Sequence, residues 1–247
     1  MALILPRPLV VFVFALSACG GAAAPQPATP EPPATAAPAE GPPTTAKRFD
    51  FLVRADFFAG MRGDSAALER AIDVCETTLA KNPRHAEALV WHGAALVIEA
   101  AMAFRDGDGT KGRTLWEQGI DEMNRAVGLE PDNVGTLIPR GAAFLAMSAH
   151  VPGAMKKQLL DQGVADYQKV LRIQAPYFDH LPAHARGNLL YGLADGLSRQ
   201  GKRDQARDTY QRLAHDLPST AYGQRASAWL ESKGQVEPPP CGGCHAR

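Results

Sequence analysis

The chain has 247 residues, with 26 acidic and 26 basic side chains and no net charge at neutral pH. That balance excludes a surface built for nucleic acid or for attraction to an anionic bilayer, both of which need an excess of Lys and Arg. Apolar residues make up 45% of the sequence, enough for one ordinary core.

Residues 1–18 read as an export signal. The run LVVFVFAL, Leu9 to Leu16, follows a single basic residue, Arg7, and precedes small residues; it is too short to span a bilayer. The boundary Leu16-Ser17-Ala18-Cys19 resembles the bacterial lipobox, which implies cleavage before Cys19 and lipidation of its thiol. Several acyl chains make a durable anchor. Gly20 stands where an aspartate would signal inner-membrane retention, so the expected location is the periplasmic side of the outer membrane. Residues 19–47 hold 8 of the 20 prolines among Ala, Gly and Thr, a composition that cannot build a core and suits an extended spacer.

Residues 48–233 carry helical periodicity with no alternating strand pattern, so the fold class is all-α. Internal repeats come next. The segments AIDVCETTLAKNP (71–83), GIDEMNRAVGLEP (119–131) and ARDTYQRLAHDLP (206–218) align on their last proline. Each has a small residue, a bulky one four later (Cys75, Met123, Tyr210) and a small or apolar pair before the proline. GVADYQKVLRIQA (163–175) is a fourth copy with its proline shifted to Pro176. These segments resemble the second helix of the tetratricopeptide repeat, and the matching first helices place their small residue at Gly93, Gly141 and Ala194. The fourth repeat, GNLLYGLADGLSRQGKRDQARDTYQRLAHDLP, has no insertion; the second and third carry AFRDGDGTKGRT (103–114) and SAHVPGAMKKQ (148–158), expected to be longer helices or lobes. AYGQRASAWLESK (221–233) reads as the capping helix of a repeat array, with Trp229 in the core.

The resemblance implies a solenoid whose first helices face a protein or peptide partner. On that register the groove would be lined by Val90, Val97 and Ile98, then Ile138 and Leu145, then Tyr191, Asp195 and Arg199, passing from apolar to polar along the array. Nothing reads as catalytic: the histidines show no H-E-x-x-H spacing and no paired nucleophile, and Cys75 falls at a core position. The DGDG turn lacks the later acidic ligands of a calcium loop.

Residues 234–247 form a proline-rich tail ending in CGGCHAR. Cys-x-x-Cys-His is the attachment signature of c-type haem, in which two thiols add to the vinyl groups and the adjacent imidazole ligates iron. With this composition the motif arises by chance on the order of two times in a thousand. Cys241 and Cys244 are therefore the expected attachment sites of haem c and His245 the expected metal ligand. Only two residues follow, so no cytochrome c domain is expected around the haem, which must be sheltered by the helical array or a partner.

The whole chain resembles a group of exported bacterial tetratricopeptide proteins that end in Cys-x-x-Cys-His, through LVWHGAALV, GIDEMNRAVGLEPDN, HARGNLLYGLADG, RASAWLESKG and CGGCH. The resemblance implies a scaffold and assigns no activity. Three classes of function stay open: a lipid-anchored haem carrier for electron transfer or assembly of a redox complex; an interaction lipoprotein whose tail cysteines form a disulfide or bind a metal; and a thiol-disulfide enzyme. The last normally needs a βαβ fold, for which the chain has no strand.

Overall fold

The computed structural model describes residues 48–235. Every regular element among them is helical, and the order of local signals explains why. The first hairpin pairs α1 (Asp50–Met61) with α2 (Ser65–Lys81). Gly63, at φ +103°, closes the turn, and the Asp64 carboxylate accepts the Ala67 N–H at 3.0 Å to start α2. The second hairpin pairs α3 (Ala86–Arg105) with α4 (Gly109–Leu129). Here the DGDG stretch is a tight turn: Gly107 sits at φ +86° and Asp108 caps α4 by accepting from Lys111 N–H.

α5 (Val134–Ser148), capped by Asn133, pairs with α6 (Gly153–Gln174), which runs into a 3₁₀ turn, Ala175–His180. Pro176 stands at the start of that turn, where its missing N–H costs nothing, so the displaced proline marks an extra turn of helix before the next repeat. α7 (Ala183–Arg199) and α8 (Arg203–Asp216) form the fourth hairpin around Gly201, at φ +78°. α9 (Ala221–Glu231), capped by Thr220, closes the array. Both insertions thus become extra helix rather than separate lobes. α3, α4 and α6 reach 20, 21 and 22 residues against 17 for α7 and 14 for α8, so these three helices are about one to two turns longer than those of the fourth hairpin.

Small residues let the paired helices touch. A Cβ placed on Gly119 would lie 2.5 Å from the Gly93 carbonyl oxygen, and one on Gly93 would lie 2.6 Å from that of Gly119. Across α5 and α6 a Cβ on Gly163 would lie 3.0 Å from the Gly141 carbonyl oxygen, while one on Gly141 would meet Asp166 and Tyr167, and fully buried Ala194 and Ala206 occupy the equivalent places in α7 and α8. Large residues then fill the spaces between hairpins. Trp91 meets Phe57 edge-on at 4.9 Å, joining α3 to α1. Trp229 stacks at 4.5 Å on Tyr210, fixing the capping helix.

Of these helices α3 is the most enclosed. It is 20 residues long with a mean hydropathy of 1.4, apolar and long enough to cross a membrane on those grounds, and 67% of that stretch is buried inside the fold. It packs against α1, α2, α4 and α5, which accounts for its lack of a polar face.

Candidate functional site

Inside this apolar helix sits one buried ionisable side chain, His92. It adjoins Gly93 at the Gly93–Gly119 crossing, and Glu122 lies one turn beyond Gly119, so the close approach of α3 and α4 brings the two together. The His92 Nδ1 lies 2.5 Å from Glu122 Oε2, and both side chains are about nine-tenths buried. Gln118 Nε2 donates to the other carboxylate oxygen at 3.0 Å. His92 Nε2 faces α2, where Glu76 Oε1 stands 3.7 Å away, too far to bond.

Burial, the largest influence on His92, pushes its pKa down, but the bond to Glu122 and the charges of Glu122, Glu76 and Glu99 outweigh it and hold the group above its ordinary value. Glu122 mirrors this: burial works to raise it, and the bonds from His92 and Gln118 hold it below the ordinary carboxylate value. The pair is therefore an imidazolium–carboxylate bridge between α3 and α4. The same environment disables Cys75. Burial, with the charges of Glu122 and Glu76, pushes its thiol up to about 12, so the fold holds it as an inert thiol.

A second buried bridge repeats the design one hairpin on. Arg140 of α5 forks onto Asp166 of α6 at 2.7 and 2.8 Å. In the fourth hairpin Arg199 takes over. Its guanidinium donates to the Leu145 carbonyl at 2.8 Å and to Ser148 Oγ at 2.5 Å, stitching the end of α7 to the end of α5.

The residues expected to line a groove fall into two sets. Val90, Val97, Leu145 and Tyr191 are buried against neighbouring helices and present little or no surface to a partner. Ile98 and Ile138 are partly buried and pack against the cores. Asp195 and Arg199 are half-buried and paired with each other at 3.5 Å, and Arg199 brings them to Leu145. Cys19, Cys241, Cys244 and His245 lie outside the described residues. Among the described residues no group of three His, Cys, Asp or Glu side chains is placed to hold a metal ion.

Open apolar surface among the described residues lies on α1, at Phe51 and Leu52, and on the second and third hairpins. Trp116 and Ile120 of α4 and Met155 of α6 border a shallow cleft of about 430 Å³, with Arg113, Glu117 and Asp121 at its rim. Sequence reasoning missed it, because Met155 lies in an insertion outside the repeat pattern.

Successive antiparallel helix pairs with small residues at the crossings and a capping helix define a tetratricopeptide-like helical solenoid. Among solved structures, a thermophilic TPR protein of Thermus thermophilus is similar to this chain at 16% identity, covering 80% of this chain and 98% of that one with a TM-score of 0.44. No family model and no curated protein matches the sequence.

Proposed function

We propose that the chain is a lipid-anchored scaffold of the cell envelope, fixed through Cys19 on the periplasmic side of the outer membrane. It docks a protein or peptide partner on its helical array and carries a covalent haem c on its tail, for electron transfer or assembly of a redox complex. The observation that carries the reading is the donor set of CGGCH, two thiols and an imidazole, on a chain whose first residues resemble an export signal and lipobox. Cys241 and Cys244 would hold the porphyrin through thioethers and His245 would ligate the iron; the haem supplies one-electron chemistry when bound.

The described cysteine supports this division of labour. Cys75 is buried with its pKa pushed up to about 12, so it does not compete for haem, metal or disulfide partners. The array supports the scaffold half by its architecture alone.

The test is expression of the full chain in a host with c-type maturation enzymes, followed by haem staining on a denaturing gel, which retains only covalent haem. Wild type should stain with roughly one haem per chain. Cys241→Ser and Cys244→Ser should each weaken or abolish the stain, and Cys19→Ala should abolish labelling by fatty acid. A wild-type protein that folds, binds membranes and carries no covalent haem overturns the haem half and leaves an interaction lipoprotein.

A further inference from the structure

We propose that α1 rests on the membrane, with its outward stripe, Phe51 and Leu52 followed by Ala55 and Ala59, seated in the interface of a phospholipid bilayer. The inference rests on the lipid-anchored reading above. Phe51 and Leu52 are 62% and 57% exposed, more than any other large apolar side chain of the described residues. Their exposure is a held position. Asp50, buried at the start of α1, accepts from Arg48 Nε at 2.9 Å and from Arg54 Nη1 at 3.3 Å, and the two guanidinium groups lie 5.3 and 5.2 Å from the centre of the Phe51 ring. One buried carboxylate thus fixes two cations against an outward-facing ring. At helical spacing Phe51, Leu52, Ala55 and Ala59 share one face with Arg48 and Arg62 at its ends, while buried Val53, Phe57 and Gly60 take the opposite face.

An apolar strip bordered by arginines fits acyl chains below phosphate headgroups, which is how helices lie in a membrane interface. The acidic side chains of α1 do not oppose it: Asp50 is bound by Arg48 and Arg54, and Asp56 by Arg70 at 2.6 Å. α2, the other helix of this end of the array, turns Glu69, Asp73 and Glu76 to solvent, so within this hairpin the stripe is confined to α1. Connectivity brings the same helix to the bilayer. Phe49 N–H donates to Glu87 Oε2 at 3.1 Å, which fixes where the chain enters the fold, at the start of α1. Only 28 residues, 20–47, separate that entry from Cys19. Once lipid holds Cys19, contact between α1 and the bilayer is intramolecular, and a stripe too small to recruit a free protein suffices. The chain has no net charge to draw it from a distance, so the apolar side chains and the tether do the holding. A second copy fits the stripe less well. Phe51 and Leu52, little more than half open, present on the order of 200 Å², far below the roughly 800 Å² that each partner of a stable dimer buries.

The experiment uses the full-length chain, exported and lipidated, in zwitterionic vesicles of phosphatidylcholine and phosphatidylethanolamine. Phe51→Trp places a fluorophore on the stripe, and Thr77→Trp places one on the exposed face of α2 as a control. Interfacial helices bury their apolar face about 5–10 Å deep, so lipids brominated high on their acyl chains should remove roughly half of the emission added by Phe51→Trp and spare that added by Thr77→Trp. Adding Leu52→Glu to Phe51→Trp should abolish the loss, while helicity and fatty-acid labelling match wild type. A lipidated Phe51→Trp chain whose emission is not quenched overturns the contact and leaves the anchor standing. Unquenched emission that moves to the blue as protein concentration rises, with a doubled mass in detergent, gives the stripe to a second copy and overturns it as well. A wild-type chain that takes up no fatty-acid label overturns the anchor and this inference together.

Discussion

Replacing Glu122 by alanine would strand the His92 imidazolium at a site where its side chain is 8% exposed and Nε2 has no hydrogen-bond partner. Breaking one side of a buried ion pair costs about 3–5 kcal/mol. Each kcal/mol moves the melting temperature of a domain this size by about 2–4 °C. Glu122→Ala should thus melt roughly 10 °C below wild type near pH 6. Glu122→Gln keeps the shape and a hydrogen bond, losing about 1.5–3 kcal/mol. The pH profile is the sharper test. His92 is held above its ordinary 6.5, so its contribution is complete below that pH and is lost as pH rises through the folded value. Glu122 is held below its ordinary 4.5, so its contribution is complete above that pH and is lost as pH falls through the folded value. The pair is at full strength between 4.5 and 6.5. Cys75, with its thiol pushed from an ordinary 9.0 up to about 12, adds a loss of stability of its own only as the pH approaches 9 and beyond. Thermal melts followed by circular dichroism from about pH 6 to about 9 should show wild type losing stability toward the alkaline end. Glu122→Gln should show a smaller loss, and the difference isolates His92 from the other histidines. Equal alkaline losses in the two proteins would refute the bridge.

Two glycines of the same helix should respond in opposite ways to alanine. Gly119→Ala drives a methyl group into the Gly93 carbonyl, which backbone cannot yield cheaply, and should cost about 1–3 kcal/mol in denaturant melts. Gly128→Ala meets nothing within 4 Å and should gain about 0.5–1 kcal/mol from helix propensity. Cys75 should resist maleimide near pH 8 in the folded protein and react in denaturant. Rapid labelling of the folded chain at that position would contradict its burial.

The repeat frame was legible because its marks are local. Small residues at the crossings, the bulky residue four later and the closing proline all lie within one segment, and each occupies the structural place that spacing assigns it. Trp229 in the core of the capping helix follows from the same periodicity. The form of the insertions was not decided locally: 103–114 and 148–158 hold turn residues only at their centres, and the flanks simply continue the helical stripe. The first helix of the first hairpin, α1, lacked the small-residue mark of the others, having Gly60 packed against Leu68 instead. His92 and Glu122 were opaque for a different reason. They are 30 residues apart across a lengthened hairpin, so no fixed repeat offset joins them. The inward-facing register also carries no information about how tightly neighbouring hairpins close, which is what buries Val90 and Tyr191.

The enclosure of α3 carries a consequence for how the chain is made. On the proposed exported route the protein crosses the inner membrane unfolded, and a segment of 20 residues with mean hydropathy 1.4 reaches the translocation channel without the neighbours that bury it in the fold. Such a segment is a stop-transfer hazard, since the channel sorts by apolarity and length. Near mid-membrane an acidic residue opposes lateral release by about 2.5–3.5 kcal/mol. Glu99 and His92 lie within the span, and the polar imidazole that Glu122 later pairs with adds to the penalty while the chain is in transit. The polar residue that pins two helices in the finished protein thus also helps the helix through the membrane rather than into it.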